Sequence, residues 1–252
     1  MLMSFQKNKI ISLNISDLSY SQTTDEILRL AKAKSSSYVC FANVHMTIEA
    51  YDNPLFAEMV NSANIVCADG MPLVKAIKLK YKKNIDRVAG MDMLPTILEK
   101  AQSDELRVFF YGTSNDTLNL IERKINEKYS KLNVVGYFSP PFKKLTEDEQ
   151  NQHIDIINKS NPNIVFVALG CPKQEMWMAK NFKNINAVLL GIGGALPVFA
   201  GAQKRAPEWM RKSSLEWLFR LLQDPKRLFK RYFYTNSKFI YLMALELILK
   251  RK

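Results

Sequence analysis

The sequence predicts a doubly wound α/β fold with a mainly parallel sheet, carrying a helical appendage at its C-terminal end. Three observations predict it. Short, continuous apolar runs alternate with stretches of helical periodicity, as strands buried on both faces require. Most of those runs end in Gly, Asn or Asp, the punctuation expected where a strand meets a loop. Near residue 202 this alternation stops, and a basic, aromatic tail replaces it.

In chain order the strands are Tyr38–Ala42, Ile65–Ala68, Arg107–Tyr111, Leu132–Val135, Ile164–Leu169 and Ala187–Leu190. Each is a compact run of β-branched, aromatic or small apolar residues. Helices are expected at Asp25–Ala33, Pro54–Ser62, Met93–Ala101, Asp116–Lys128 and Glu147–Ser160. Thr146 with Glu149 forms a capping box at the start of the last one. In open sheets of this kind ligands bind outside the carboxyl ends of the strands. The residues that follow the strands are therefore the ones to watch: Asn43, Asp69, Gly112, Gly170 and Gly191.

The tail has another character. Leu215, Leu218, Phe219 and Leu222 recur at helical spacing, and Leu228, Phe229, Tyr232 and Phe233 extend such a stripe beyond Pro225. From Lys204 onward 13 Lys/Arg stand against four acids, a net +9 of the chain's +12. Positive charge interleaved with Trp, Tyr, Phe and Leu suits a surface that is both anionic and greasy. The expected division is a core of residues 1–202 and an appendage of residues 203–252.

With 252 residues and 47% apolar content, the chain can form one generous domain with an appendage, and wholesale disorder is excluded. Met1–Ile15 has no long apolar region of the signal-peptide kind. The longest apolar stretch, Phe239–Leu249, is interrupted by Glu246 and falls short of the roughly 20 residues that span a bilayer. The chain is expected to lie on a membrane without crossing it. Cys40, Cys67 and Cys171 show no CxxC spacing, so reduced thiols are expected rather than a metal site or disulfides.

Several short segments carry candidate chemistry, and each has a plainer alternative. Asp69, at the end of a buried strand before Gly70-Met71-Pro72, is either a turn residue or a general base for a hydroxyl nucleophile. Asn43 and Thr47 either cap a helix or offer hydrogen bonds to a polar ligand, with His45 a weaker alternative base. Arg87 and Asp92 form surface pairs and caps, or contact a phosphate. Gly112-Thr113 and Gly191-Ile192-Gly193-Gly194 are strand-to-glycine transitions whose amides could cradle a diphosphate. Neither is a dinucleotide fingerprint, since Leu196 stands where GxGxxG needs its last Gly. Gly170 and the following Cys171-Pro172-Lys173-Gln174-Glu175 either open a helix or present an amide and a charge pair to a ligand. No two aspartates are two apart, so no Asp-x-Asp is available to hold a divalent ion on a diphosphate. Neither a metal nor a cofactor is expected. Charge on a leaving diphosphate would then fall to Arg, Lys and backbone amides.

In order along residues 10 to 235, six segments resemble the WecG/TagA/CpsF family of bacterial glycosyltransferases. They are Ala68-Asp69-Gly70-Met71, Arg87 through Asp92, Gly170 through Glu175, Gly191 through Gly194, Arg205-Ala206-Pro207-Glu208-Trp209 and Leu215 through Leu221. The resemblance implies a Rossmann-like catalytic core and an inverting, metal-independent transfer. A sugar such as N-acetylmannosamine or its uronic acid would pass from a UDP-sugar to an undecaprenyl-diphosphate-linked acceptor, in teichoic acid or other cell-surface polysaccharide synthesis. By the same resemblance Asp69 is the general base and Arg87 and Gln174 are active-site residues. Arg205, Arg220, Arg227 and Arg231 would close over the donor or hold the lipid diphosphate. The implied location is cytoplasmic, peripheral on the inner face of the plasma membrane, with self-association left open.

Two other classes are weaker. Nucleic-acid binding lacks a helix-turn-helix, RNP or zinc pattern. Nicotinamide chemistry lacks its fingerprint. A non-catalytic, membrane-docked nucleotide-sugar-binding protein is the remaining alternative, and Asp69 discriminates against it because a sensor has no use for a base.

Overall fold

The computed structural model describes residues 5–143 and 145–249; the terminal Lys250, Arg251 and Lys252 of the basic tail lie outside the described residues, as do Met1–Ser4. A hairpin opens the chain: β1 (Lys7–Ile10) pairs antiparallel with β2 (Leu13–Ser16). The remaining strands are β3 (Ser37–Ala42), β4 (Ile65–Ala68), β5 (Arg107–Gly112), β6 (Asn133–Phe138), β7 (Ile164–Ala168) and β8 (Val188–Gly191). They form one six-stranded sheet in the order β4-β3-β8-β7-β5-β6, and the pairings β3/β8, β8/β7, β7/β5 and β5/β6 are parallel. The fold is α/β and Rossmann-like, as the alternating pattern implies. In β3, β4, β7 and β8 every residue is buried, which is why these strands read as unbroken apolar runs.

By contact density the chain forms two compact units, one of residues 1–20, 41–89 and 205–252 and the other of residues 21–40 and 90–204. The residues expected to form an appendage thus share a unit with residues 41–89.

The first unit holds the hairpin, α2 (Val44–Asp52), α3 (Pro54–Asn61), β4 and α4 (Met71–Tyr81). Its C-terminal part supplies α10 (Glu208–Lys212), α11 (Glu216–Gln223) and α12 (Pro225–Leu249). Strand β2 is fastened beside β4 by the Ser16 hydroxyl, which accepts from the Val66 amide at 3.1 Å. Helix α12 packs along α2, where Asp52 accepts from Tyr234 Oη at 2.8 Å and pairs with Lys238. Farther along α12, Glu246 pairs with Lys80 at 2.7 Å. The buried stripe of α12 is Leu228, Thr235, Phe239, Leu242 and Met243. This corrects the expected one: Leu228 is buried, but Phe229 and Phe233 are 60% and 69% exposed. At about 100° per residue, 229 and 233 share a face offset from the 228/235/239/242 line. On α11 no residue is fully buried, and Leu222 is exposed.

The second unit contains α1 (Tyr20–Lys32), α5 (Gly90–Ser103), α6 (Asn115–Lys128), α7 (Glu147–Ser160), α8 (Lys173–Asn181), α9 (Ala195–Phe199) and a 3₁₀ turn at Phe182–Asn184, with β5 to β8. The capping box of α7 is present in both directions, Thr146 Oγ1 taking the Glu149 amide and Glu149 Oε2 the Thr146 amide. Its core is aromatic. Tyr111 stacks on Trp177 at 4.5 Å and bonds His153 Nδ1 through its hydroxyl at 3.0 Å. Among the described residues no helix is long and apolar enough to cross a membrane. Cys40, Cys67 and Cys171 are free thiols, the first two buried.

Candidate active site

Within the first unit a cavity of about 370 Å³ opens at the carboxyl end of β4. Its polar side is built by Asn43, His45, Asp69 and Arg87 from residues 41–89, and by Arg211, Ser214, Glu216, Arg220, Arg231, Thr235 and Asn236 from the tail. Its apolar side is Val44, Met71, Pro72, Trp217, Tyr232, Phe239 and Ile240. The lining therefore combines four guanidiniums with apolar and aromatic side chains, as recognition of an amphiphilic anion requires.

Asp69 takes its position from the strand. The Asp69 amide donates to Ala42 O at 2.9 Å, extending the β3–β4 edge by one residue before Gly70 starts α4. Its side chain is about a quarter exposed, at 28%. Arg87 is held against the same corner. Its Nε donates to the Asp69 main-chain carbonyl at 2.7 Å, while Nη2 stands 3.9 Å from Asp69 Oδ1 and 3.0 Å from Glu216 Oε2. The other Glu216 oxygen accepts from Arg220 Nη2 at 2.8 Å. Burial disfavours the Arg220 charge, but Glu216, Asp69 and Tyr232 outweigh it and hold the guanidinium above its usual range. Beneath Asp69, burial pushes the Cys67 thiol up, with the neighbouring Asp69 charge adding to it, so Cys67 stays a neutral thiol. Ser214 Oγ, Arg231 Nε and Thr235 Oγ1, buried polar atoms of lining residues, have no hydrogen-bond partner among the described residues. Such groups are costly unless a ligand or water meets them.

Asn43 caps α2, its Oδ1 accepting from the Met46 amide at 3.1 Å, and it also lines the cavity. Thr47 is fully buried and its hydroxyl donates to Asn43 O at 2.9 Å, which supports the loop from beneath. His45 lines the cavity with Nδ1 at 3.6 Å from Glu49. Of the four tail arginines singled out by sequence, Arg220 and Arg231 line the cavity. Arg205 and Arg227 lie exposed outside its lining, Arg227 paired to Asp224. Arg211, Ser214, Glu216, Trp217, Tyr232 and Thr235 were not singled out as site residues. Their signal was the Glu216-Trp217 step within a recognisable motif and the i, i+4 spacing of Glu216 and Arg220. The 129-residue reach to Arg87 has no signature in sequence.

The other predicted residues, Gly112, Thr113, Gly170, Gln174, Glu175, Gly191, Gly193 and Gly194, belong to the second unit. Gln174 Nε2 donates to Gly191 O at 2.9 Å and to Glu175 Oε1, and both side chains are buried. Burial pushes the Glu175 carboxyl up to about 7 against the hydrogen bonds from Gln174, its own backbone and Cys171. Gln174 Oε1 and Glu175 Oε2 have no hydrogen-bond partner among the described residues. The glycines here permit close approach. A Cβ on Gly193 (φ 40°) would sit 2.9 Å from Gln174 Oε1, and one on Gly112 (φ 111°) only 2.5 Å from the Ala168 carbonyl. The Thr113 amide is spent on Ala168 O, and the Ile192 and Gly193 amides on Val167 O. These three amides are therefore engaged inside the fold and do not form an open cradle. Gly194 starts α9, a helix of five residues, and Gly170 (φ 78°) sits in open space before α8. Among the described residues no group of three or more His, Cys, Asp or Glu is placed to hold a metal ion.

With this geometry in hand, the comparisons with known proteins point one way. The model of the Glycosyl transferase WecG/TagA/CpsF family matches residues 8–252. A protein of Bacillus spizizenii named N-acetylglucosaminyldiphosphoundecaprenol N-acetyl-beta-D-mannosaminyltransferase is 34% identical over 193 residues, 76% of this chain and 73% of its own. A protein of Bacillus subtilis with the same name is 31% identical over 196 residues, 77% of this chain and 74% of its own.

Proposed function

The chain belongs to the WecG/TagA/CpsF family and is a glycosyltransferase, and we propose that it moves an N-acetylmannosamine-type sugar from a UDP-sugar to a sugar carried on undecaprenyl diphosphate. One observation carries the reading: a carboxylate at a strand's carboxyl end, Asp69, shares a cavity with four guanidiniums and an apolar wall. The names of the two Bacillus relatives supply the acceptor class and the sugar. Membership in a transferase family sets aside the non-catalytic nucleotide-sugar sensor.

In the proposed reaction Asp69 takes the proton of the acceptor hydroxyl as that oxygen attacks the anomeric carbon. The new C–O bond forms while the bond to the UDP oxygen breaks, with inversion, and UDP leaves with the electron pair. Arg211, Arg220 and Arg231 meet diphosphate charge in the cavity, where removal from water strengthens each contact. Trp217, Tyr232, Phe239 and Ile240 offer the first prenyl units an apolar path.

The surface around α12 supports a membrane-face location. Phe229, Phe233, Ile240, Tyr241 and Ile248 are exposed on the same helix as Lys226, Arg227 and Lys230. Each such cation near an anionic leaflet contributes about 1 kcal/mol. The cytoplasmic leaflet is the side this reading assigns. Teichoic acid or a related cell-surface polysaccharide is the corresponding product class.

The test is a panel of UDP-sugars offered with a short-chain polyprenyl-diphosphate-N-acetylglucosamine acceptor, read by mass spectrometry. Addition of one N-acetylhexosamine mass from UDP-N-acetylmannosamine, lost by roughly 10²-fold in Asp69→Asn, is expected. No transfer from any donor, or an Asp69→Asn variant within threefold of the parent, would defeat the proposal.

A further inference from the structure

Thr235 is the polar member of an otherwise apolar stripe. Along α12 the buried residues are Leu228, Thr235, Phe239, Leu242 and Met243, and Thr235 is only 2% exposed. A hydroxyl on a helix can return a hydrogen bond to the carbonyl four residues back. Thr47, Thr96, Ser103 and Ser160 all do so, at 2.9–3.3 Å. Thr235 Oγ1 does not, and it has no hydrogen-bond partner among the described residues. Val would fill nearly the same volume here without burying an unpaired hydroxyl, so packing alone does not account for Thr. One turn earlier on α12 stands Arg231, whose buried Nε likewise has no hydrogen-bond partner among the described residues. Its guanidinium lies over the Tyr232 ring, 5.2 Å from the centroid. One turn later stand Phe239 and Ile240, and all of these residues line the cavity.

This spacing gives a ligand a direction. The lining contributed by α12 passes from a guanidinium at 231, through a hydroxyl at 235, to apolar side chains at 239 and 240. Each step of four residues rises about 6 Å, a distance that a diphosphate and its ester oxygen can cover. A matching ligand carries anionic oxygens at one end and hydrocarbon at the other, with an oxygen acceptor between them. A prenyl diphosphate has that order of groups. UDP does not, because the ribose and uracil beyond its diphosphate would set polar groups against Phe239 and Ile240. In a helix the Thr side chain divides between two χ1 rotamers, so its hydroxyl can turn to a ligand oxygen without backbone movement.

We propose that Thr235 determines specificity for the lipid acceptor. Its hydroxyl donates to an oxygen of the phosphate that bears the prenyl chain, Arg231 meets the charge of the same diphosphate, and Phe239 and Ile240 take the first isoprene unit. The inference rests on the reading of the acceptor as a polyprenyl-diphosphate-linked sugar. It deepens that reading by naming the side chain that sets the boundary between the lipid's charged head and its hydrocarbon.

The experiment measures binding of farnesyl diphosphate and of UDP by calorimetry in the parent, Thr235→Val and Thr235→Ser. Thermal unfolding and the KM for the short-chain acceptor are recorded alongside. Thr235→Val keeps the shape and removes the hydroxyl. It is expected to weaken farnesyl diphosphate binding about 10-fold, as loss of a hydrogen bond to a charged group does, and to raise the acceptor KM in step. UDP binding should stay within about twofold, and Thr235→Ser should restore farnesyl diphosphate binding to within about threefold. The unfolding temperature of Thr235→Val should equal or exceed the parent's, since a buried, unpartnered hydroxyl is removed. Farnesyl diphosphate bound equally by the parent and Thr235→Val, or not bound by the parent, overturns the inference. A loss that falls on UDP instead also overturns it, by giving the hydroxyl to the donor. A lowered unfolding temperature with no rescue in Thr235→Ser reduces Thr235 to a packing residue. The two readings fail separately. The expected binding loss without transfer from any UDP-sugar would defeat the proposed reaction and leave the subsite. Transfer by Thr235→Val at the parent's acceptor KM would defeat the subsite and leave the reaction.

Discussion

Glu175 allows a quantitative test within the second unit. Its side chain is fully buried, and burial pushes its carboxyl from the ordinary 4.5 up to about 7. The folded protein therefore keeps this proton up to about pH 7, whereas the unfolded chain releases it near 4.5. Between these values the native state binds the extra proton, so stability falls as pH rises through that window. The contribution is complete below pH 4.5 and lost above about 7. A difference of this size corresponds to about 3 kcal/mol, at 1.36 kcal/mol per pH unit. Glu175→Gln stays neutral throughout and can still accept from the Gln174 amide, so this dependence should vanish. Urea unfolding at pH 5, 6, 7 and 8, followed by tryptophan fluorescence, is the assay. At pH 8 the variant should exceed the parent by about 1–3 kcal/mol, and the two should converge toward pH 5. Other titrating groups, His153 among them, act equally on both proteins and cancel in the difference. Two curves that stay parallel from pH 5 to 8 would show that Glu175 does not carry the proton assigned to it.

Other expectations follow from single sites. Gly112→Ala should cost about 2–3 kcal/mol in urea unfolding, since a Cβ at φ 111° would meet the Ala168 carbonyl at 2.5 Å; a loss under 0.5 kcal/mol would contradict the strand-end geometry. EDTA should leave turnover unchanged, because no Asp-x-Asp exists to hold a divalent ion on a diphosphate; rescue by Mg²⁺ or Mn²⁺ after chelation would place a metal in the reaction. Arg220→Ala and Arg231→Ala, which line the cavity, should lower kcat on a soluble short-chain acceptor by about 10-fold or more. Arg227→Ala, outside the lining, should weaken only liposome binding, and the reverse ranking would exchange their roles.

What the sequence disclosed depended on how local the cause was. Strands β3, β4, β5, β7 and β8 were readable because parallel strands buried on both faces leave unbroken apolar runs. The edge strand β6, with no buried residue, was legible only in part, as 132–135 against Asn133–Phe138. Helix α7 was readable from Thr146 and Glu149, which cap it within four residues. The β1–β2 hairpin was not, since each strand is four residues long and Lys7–Ile10 alternates exposed and buried positions too briefly to register. Helix α4 was missed because Met71-Pro72-Leu73-Val74 reads as a turn followed by a short apolar run, without a clean stripe. Asp69, Arg87, Arg220 and Arg231 were legible as candidates from residue type and place. Glu216 was not, because its meaning lies in Arg87, which only folding brings to it.

The tail's charge pattern acquires a physical sense from its acids. All four acids after Lys204 are paired: Glu208 with Lys212, Glu216 with Arg87 and Arg220, Asp224 with Arg227, Glu246 with Lys80. The pairs within one helix turn, at exposed positions, contribute little to stability. Glu216 and Glu246 differ, for they join the tail to residues 41–89 at partly buried positions, and Lys238 adds a third such tie through Asp52. Leu228, Phe239, Leu242 and Met243 are buried along the same helix. Cutting the chain after Ala202 would therefore uncover apolar surface and strip more than half of the cavity's lining along with any tether. A truncated protein that fails to turn over substrate would report that damage rather than a choice between anchor and active site. Point substitutions separate the two, because the fastening acids, the cavity arginines and the exposed aromatics occupy different positions. The tail is held to residues 41–89 by Glu216, Glu246 and Lys238 and by the buried side chains of α12, while Lys226, Arg227 and Lys230 lie exposed near the start of that helix.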